Sequence, residues 1–240
     1  MRILTINPNT SVQMTEHIAA QAQSTARPDT EIIAVTAAFG AEVIASRASY
    51  AIASHAALDA FARRFEGADV VLLACFGDPG LEALREIAPI PVIGMLDATI
   101  TSPAAKATPF AIITAGAAWV PMLMERVALT PHSGLLRGVF AINAHGLDVR
   151  NNPSAALAAL QQATDRATDA GATAIVLGGS ALAGLSSSLH STATLIDPLQ
   201  CAVLAAEQAL QNTAHTPTRP ALRSQGLTPA LAELLAASPQ

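Results

Sequence analysis

A thiol that ends an apolar run and opens a glycine-rich turn is the residue in this chain best placed to do chemistry. Cys75 begins Cys75-Phe76-Gly77-Asp78-Pro79-Gly80, directly after the aliphatic run 70–74. At a strand-to-helix turn the helix N-terminus is expected to lower the thiol pKa, as a base or nucleophile requires. A buried, inert cysteine is the alternative, and the Gly-Asp-Pro-Gly turn favours the functional reading. The other cysteine, Cys201, continues a helical apolar pattern in Leu199-Gln200-Cys201-Ala202-Val203-Leu204 and reads as a packing residue.

Polar and glycine-rich clusters follow other apolar runs. Asn7, Asn9 and Thr10 come after the first, leading into a helix whose N-terminal N–H groups favour an anion. Asn7 and Asn9 would also serve as turn and cap residues, with substrate contact the preferred role. Thr114 and Gly116 lie at and after the end of the run 110–114, and Gly178, Gly179 and Ser180 follow the run 174–177. With Cys75, Phe76 and Gly77 they describe a pocket of backbone N–H groups, hydroxyls and one thiol, suited to a carboxylate or an enolate. Arg47 would pair with a substrate carboxylate or act as a surface or cap residue, with equal weight. His17 and His55 sit in helical patterns and His132, His145 and His215 in loops; His190, near a strand end, reads as a solvated loop residue.

These positions matter because of the elements that carry them. Runs at 3–6, 31–35, 70–74, 91–94, 110–114, 174–177 and 194–196 read as buried parallel strands. Segments 11–23, 50–65, 120–127, 154–170 and 198–210 carry helix formers at helical spacing, with Ser154 as an expected N-cap. The alternation predicts an α/β fold with helices on both sheet faces. In parallel sheets, ligands bind beyond the carboxyl ends of the strands, where the candidates lie.

An internal repeat organises the chain further. Residues 68–81 (ADVVLLACFGDPGL) lie over residues 172–185 (ATAIVLGGSALAGL) without a gap, so that Cys75 falls on Gly179 and Gly80 on Gly184. Two pseudo-symmetric α/β half-domains are expected, 1–100 and 101–212, each a mainly parallel sheet flanked by helices, with the active site in the cleft between them. Residues 99–108 are read as the switch region. A tail, 213–240, broken by Pro217 and Pro220, is expected to be less regular and to be able to pack back on the first half.

Composition narrows the function classes. The chain has 240 residues, 51% hydrophobic and 13% charged, with a formal net charge of -5 and no basic stripe, which argues against a nucleic-acid partner. No apolar stretch approaches the roughly 20 residues that span a bilayer, so no membrane partner is expected. Two cysteines and no zinc-ligand spacing point to a reducing, cytoplasmic compartment and to no metal site.

The opening Ile3-Leu4-Thr5-Ile6-Asn7-Pro8-Asn9-Thr10, the segment Ala74-Cys75-Phe76-Gly77-Asp78-Pro79-Gly80 and the duplicated halves resemble the hydantoin racemase branch of the aspartate/glutamate racemase superfamily, over roughly residues 1–210. The resemblance implies two pseudo-symmetric halves that, in the racemases, place one cysteine on each side of the substrate α-carbon, with no cofactor. It makes Cys75 the first-half acid/base. The second-half cysteine position carries Gly179, so either another group such as Ser180 or a water serves the second face, or a single thiol runs another reaction. Arylmalonate decarboxylases and maleate isomerases resemble this layout and are precedents for the latter, although the decarboxylases keep their cysteine in the other half. The leading expectation is a cofactor-independent racemase or isomerase on a small carboxylate or hydantoin-like substrate. A single-cysteine lyase or hydrolase, and a non-catalytic anion-binding protein, are the alternatives. A homo-oligomer is compatible with all three.

Overall fold

The computed structural model describes residues 1–102, 107–143, 153–209 and 221–237. Eight strands in these segments form two parallel four-stranded sheets with the same strand order. The first sheet is β2-β1-β3-β4, from β1 (Arg2–Asn7), β2 (Glu31–Thr36), β3 (Val70–Leu73) and β4 (Val92–Gly94). The second is β6-β5-β7-β8, from β5 (Phe110–Ala115), β6 (Leu136–Ile142), β7 (Ala174–Gly178) and β8 (Thr194–Ile196). The central strands β3 and β7 are buried along their whole length, as continuous apolar runs in a covered parallel sheet should be. The α/β architecture with two similar halves is therefore the one the alternating runs imply. The repeat is visible in the backbone too: Gly80 and Gly184 have φ of 83° and 82°.

Other expectations are corrected. Strand β6 went unread because Arg137 and Gly138 interrupt its apolar pattern, and as an edge strand it stays partly exposed. Two helices, α3 (Leu81–Ile87) and α4 (Met95–Thr101), are seven residues each, too short to display a helical period. Helix α4 occupies the start of the segment read as a switch region. Ser154 is not a cap, because the helix α6 (Pro153–Asp169) already begins at Pro153, whose fixed φ suits a first turn. The tail contains a helix, α8 (Pro229–Ala236), which buries Leu231 and packs on α2 (Arg47–Arg64), with Thr228 hydrogen-bonded to Asp59. His145, His215 and residues 213–220 lie outside the described residues. No described helix is long and apolar enough to cross a membrane.

The halves share one core. Ile3, Val70 and Leu72 of the first sheet pack in the same cluster as Phe110, Ile112 and Val176 of the second. Helix α7 (Pro198–Ala209) follows the last strand of the second sheet yet lies against β3, α4 and α1 (Val12–Thr25) of the first half. Its Glu207, 5% exposed, accepts from the Arg27 N–H at 2.8 Å and the Thr30 hydroxyl at 2.7 Å. Removing this acceptor leaves two donors unpaired near the buried junction. Glu207→Ala should cost about 2–3 kcal/mol and lower Tm by about 5–10 °C in a thermal melt; an unchanged Tm would show that the junction does not need it.

Candidate active site

Parallel strands end on one side of a sheet, and in this protein the ends of β1, β3, β5 and β7 meet at a cleft of about 140 Å³. Of the residues singled out from the sequence, the cleft brings together Asn9, Cys75, Phe76, Thr114, Gly116, Gly178, Gly179 and Ser180. The Ala74 N–H donates to the Ile6 carbonyl at 2.9 Å, extending the β1–β3 ladder one residue, and Cys75 then opens on the cleft, partly buried. Ser180, across the cleft in the second half, donates its hydroxyl to the Ala74 carbonyl at 3.0 Å. That bond ties the Ser180 hydroxyl to the strand end that carries Cys75. A Cβ at Gly178 would lie 2.6 Å from the Phe76 ring, so only glycine admits that ring beneath β7.

Asn9 and Thr114 face the cleft with hydrogen-bonding capacity to spare. Asn9 Oδ1 accepts from Asn7 Nδ2 at 2.8 Å and from the Ser11 N–H at 2.9 Å, which leaves the Asn9 Nδ2 donors for a ligand. The Thr114 hydroxyl has no side-chain partner among the described residues. The N–H groups around Ala117 and Ala118 open helix α5 (Trp119–Ala128), which has no side-chain cap.

Four other candidates lie outside the lining. Asn7 is buried and spends its amide on Asn9, on Thr15 at 2.9 Å and on the Ser11 carbonyl at 3.2 Å, so it frames the loop. The Thr10 N–H donates to the Ala41 carbonyl at 3.1 Å. Gly77 backs the wall: a Cβ there would be 2.7 Å from the Trp119 ring. Arg47 is turned away altogether, its guanidinium bonded twice to Glu125 on α5, at 2.6 and 2.5 Å, on the exposed surface. The adjacent carboxylate satisfies it. His190 is likewise exposed outside the cleft, its N–H donating to Gln161.

The missed lining is apolar: Met14, Ile44, Trp119 and Leu182. Trp119 donates its indole N–H to the Ile44 carbonyl at 2.9 Å, joining α5 to the loop before α2. Its being the only tryptophan, four residues beyond β5, was the available signal. No charged side chain belongs to the described lining.

The electrostatics of Cys75 reverse the expected direction. Burial pushes the thiol up to about 12, and the negative Asp78 adds to the rise. The nearest following helix starts at Leu81 and is too remote and short to offset this. Burial likewise pushes Asp78 up to about 7, against the N–H groups of Asp97 and Leu96 that stabilise its anion. Cys201 is raised mainly by burial, partly offset by a Ser102 hydrogen bond. Iodoacetamide should therefore label Cys75 faster than Cys201 because it opens on the cleft, and its rate should still be climbing above pH 9. Peptide mass mapping reads the order; faster labelling of Cys201 would reverse the assignment.

Comparison with known proteins follows the same lines. The model of the family described as Asp/Glu/Hydantoin racemase matches residues 3–206. A hydantoin racemase from Paenarthrobacter aurescens is 32% identical over 212 residues, covering 86% of this chain and 90% of the relative. An allantoin racemase from Klebsiella pneumoniae superposes with a TM-score of 0.85 at 31% identity, covering 98% of each chain. The allantoin racemase from Pseudomonas fluorescens gives 0.84 at 29% identity, with 90% of this chain and 93% of that one covered.

Proposed function

This chain belongs to the Asp/Glu/hydantoin racemase family, and on that premise we propose that Cys75 moves a proton at the carbon beside a carbonyl of a neutral, hydantoin-like ring. The observation that carries the choice of substrate is that no charged side chain lines the cleft among the described residues. A free amino acid brings an ammonium and a carboxylate, each costly to desolvate without a countercharge. A cyclic amide asks only for hydrogen bonds. Removal of its acidic C–H develops negative charge on the adjacent carbonyl oxygen, where Asn9 Nδ2, the Thr114 hydroxyl and the N–H groups opening α5 would stabilise it. The thiolate formed when Cys75 gives its proton to water in the cleft is a strong base, since its conjugate acid sits near 12; it takes the C–H proton, and water returns one on the opposite face. The two free cysteines favour a cytoplasmic setting, which belongs to the same proposal.

Two observations favour a second reading, a single-thiol lyase such as a decarboxylase. Gly179 has no proton to give on the second face, and a thiol near 12 rests protonated, ready to donate to an enolate left by loss of carbon dioxide. The experiment is incubation in heavy water with enantiopure 5-benzylhydantoin and, separately, with phenylmalonate. Deuterium at C5 with loss of optical rotation supports the first reading. Release of carbon dioxide from phenylmalonate supports the second, and neither outcome would leave both without support.

A further inference from the structure

The turn that presents Cys75 is gripped from below by one side chain. Asp78 is fully buried and holds φ of 55°, an uncommon conformation for a residue other than glycine. Its N–H donates to the Cys75 carbonyl at 3.0 Å. Its carboxylate reaches the start of α4, accepting the Leu96 N–H at 3.0 Å and the Asp97 N–H at 2.9 Å. Gly94 makes the room: its φ of -88° suits any residue, but a Cβ there would fall 2.5 Å from Asp78 Oδ2. Strained backbone at a functional turn persists only where its surroundings hold it, and this carboxylate is the holding contact.

We propose that Asp78 is a positioning residue of the reaction, tying the Cys75 turn to helix α4. The inference rests on the reading of Cys75 as the reacting group. The charged and titratable groups that face Asp78 are Cys75, Arg126, Asp97 and, through the same cluster, Tyr50 and Glu82. Arg126 is paired with Glu82 at 2.9 Å and Asp97 with Arg85 at 2.7 Å, so the cluster's main cation is shared. The anion of Asp78 opposes a second negative charge on Cys75, and so strengthens the thiolate as a base once it forms.

Two substitutions disturb this contact differently. Asp78→Asn loses the charge and one of the two acceptors; Gly94→Ala keeps both and crowds the carboxylate at 2.5 Å together with the Leu81 side chain at 2.6 Å. Both should lower kcat by about tenfold or more with 5-benzylhydantoin or phenylmalonate, whichever the parent turns over. Iodoacetamide labelling of Cys75 against pH should shift to lower pH in Asp78→Asn and not in Gly94→Ala. Parental kcat in both variants, or the same labelling shift in both, would overturn the proposal. If Asp78→Asn does not fold, Gly94→Ala decides by kcat alone, parental turnover being the overturning result. Parental activity in Cys75→Ser would instead reject the thiol reading, a distinct outcome that the labelling profiles do not depend on.

Discussion

Cys75→Ser should lose about 10³-fold or more in kcat while keeping the parental circular dichroism and a Tm within a few degrees. The exchange replaces a sulfur by a smaller oxygen at a position that only partly packs against the core, so the fold has little to lose. The chemistry has much to lose. Desolvation already holds the thiol near 12, and an alcohol in the same place is a far weaker acid still, unable to give or take a proton at neutral pH. Steady-state turnover of 5-benzylhydantoin or phenylmalonate reads the result. Turnover near the parental rate in a folded Cys75→Ser protein would remove the thiol from the mechanism and leave the hydroxyl and N–H donors of the cleft as the only chemistry there.

Gly179→Cys should do the opposite and add racemisation, by about 10²-fold over the parent, measured as loss of optical rotation of an enantiopure 5-benzylhydantoin. The register argument is direct: Gly179 follows β7 as Cys75 follows β3, and both line the same cleft. Space is available, since a Cβ at Gly179 would meet only the Leu182 side chain, at 3.9 Å. The cost is conformational. Gly179 has φ of 154°, which a residue with a Cβ rarely adopts, so the variant should lose about 1–3 kcal/mol of stability. A folded variant that binds the hydantoin and gains no racemisation would show that a sulfur at this position does not reach the second face, and would favour the single-thiol lyase.

How much of this was legible follows from which interactions are local. Strands β1, β3, β5 and β7 are buried on both faces and must be written as nearly continuous apolar runs, so the sequence declares them. Strand direction then delivers the site, because residues just past parallel strands have one place to go. Asn9, Cys75, Thr114 and Gly179 meet in the cleft for that reason. The repeat adds the pairing of Cys75 with Gly179, since equivalent third strands in two copies of one topology end at equivalent points.

Tertiary structure decided what depends on partners distant along the chain. Arg47 has Glu125, 78 residues away, as its counter-ion, and no local pattern distinguishes that surface pair from a substrate clamp. The apolar wall from Met14, Ile44 and Trp119 is assembled from three separate segments. The sign of the Cys75 shift was misjudged because a helix N-terminus can be guessed from a turn motif, whereas desolvation is summed over every neighbour packed around the sulfur. Asp78 looked like one residue of a turn, and only packing joined its carboxylate to Leu96 and Asp97 and made Gly94 the residue that admits it. The sequence alone determined the architecture and the place of Cys75 at a strand end facing the cleft, because strand patterning and one repeat are periodic along the chain. The upward push on that thiol and the lack of charged side chains in the described lining came from three-dimensional packing, because electrostatic environment has no period to read.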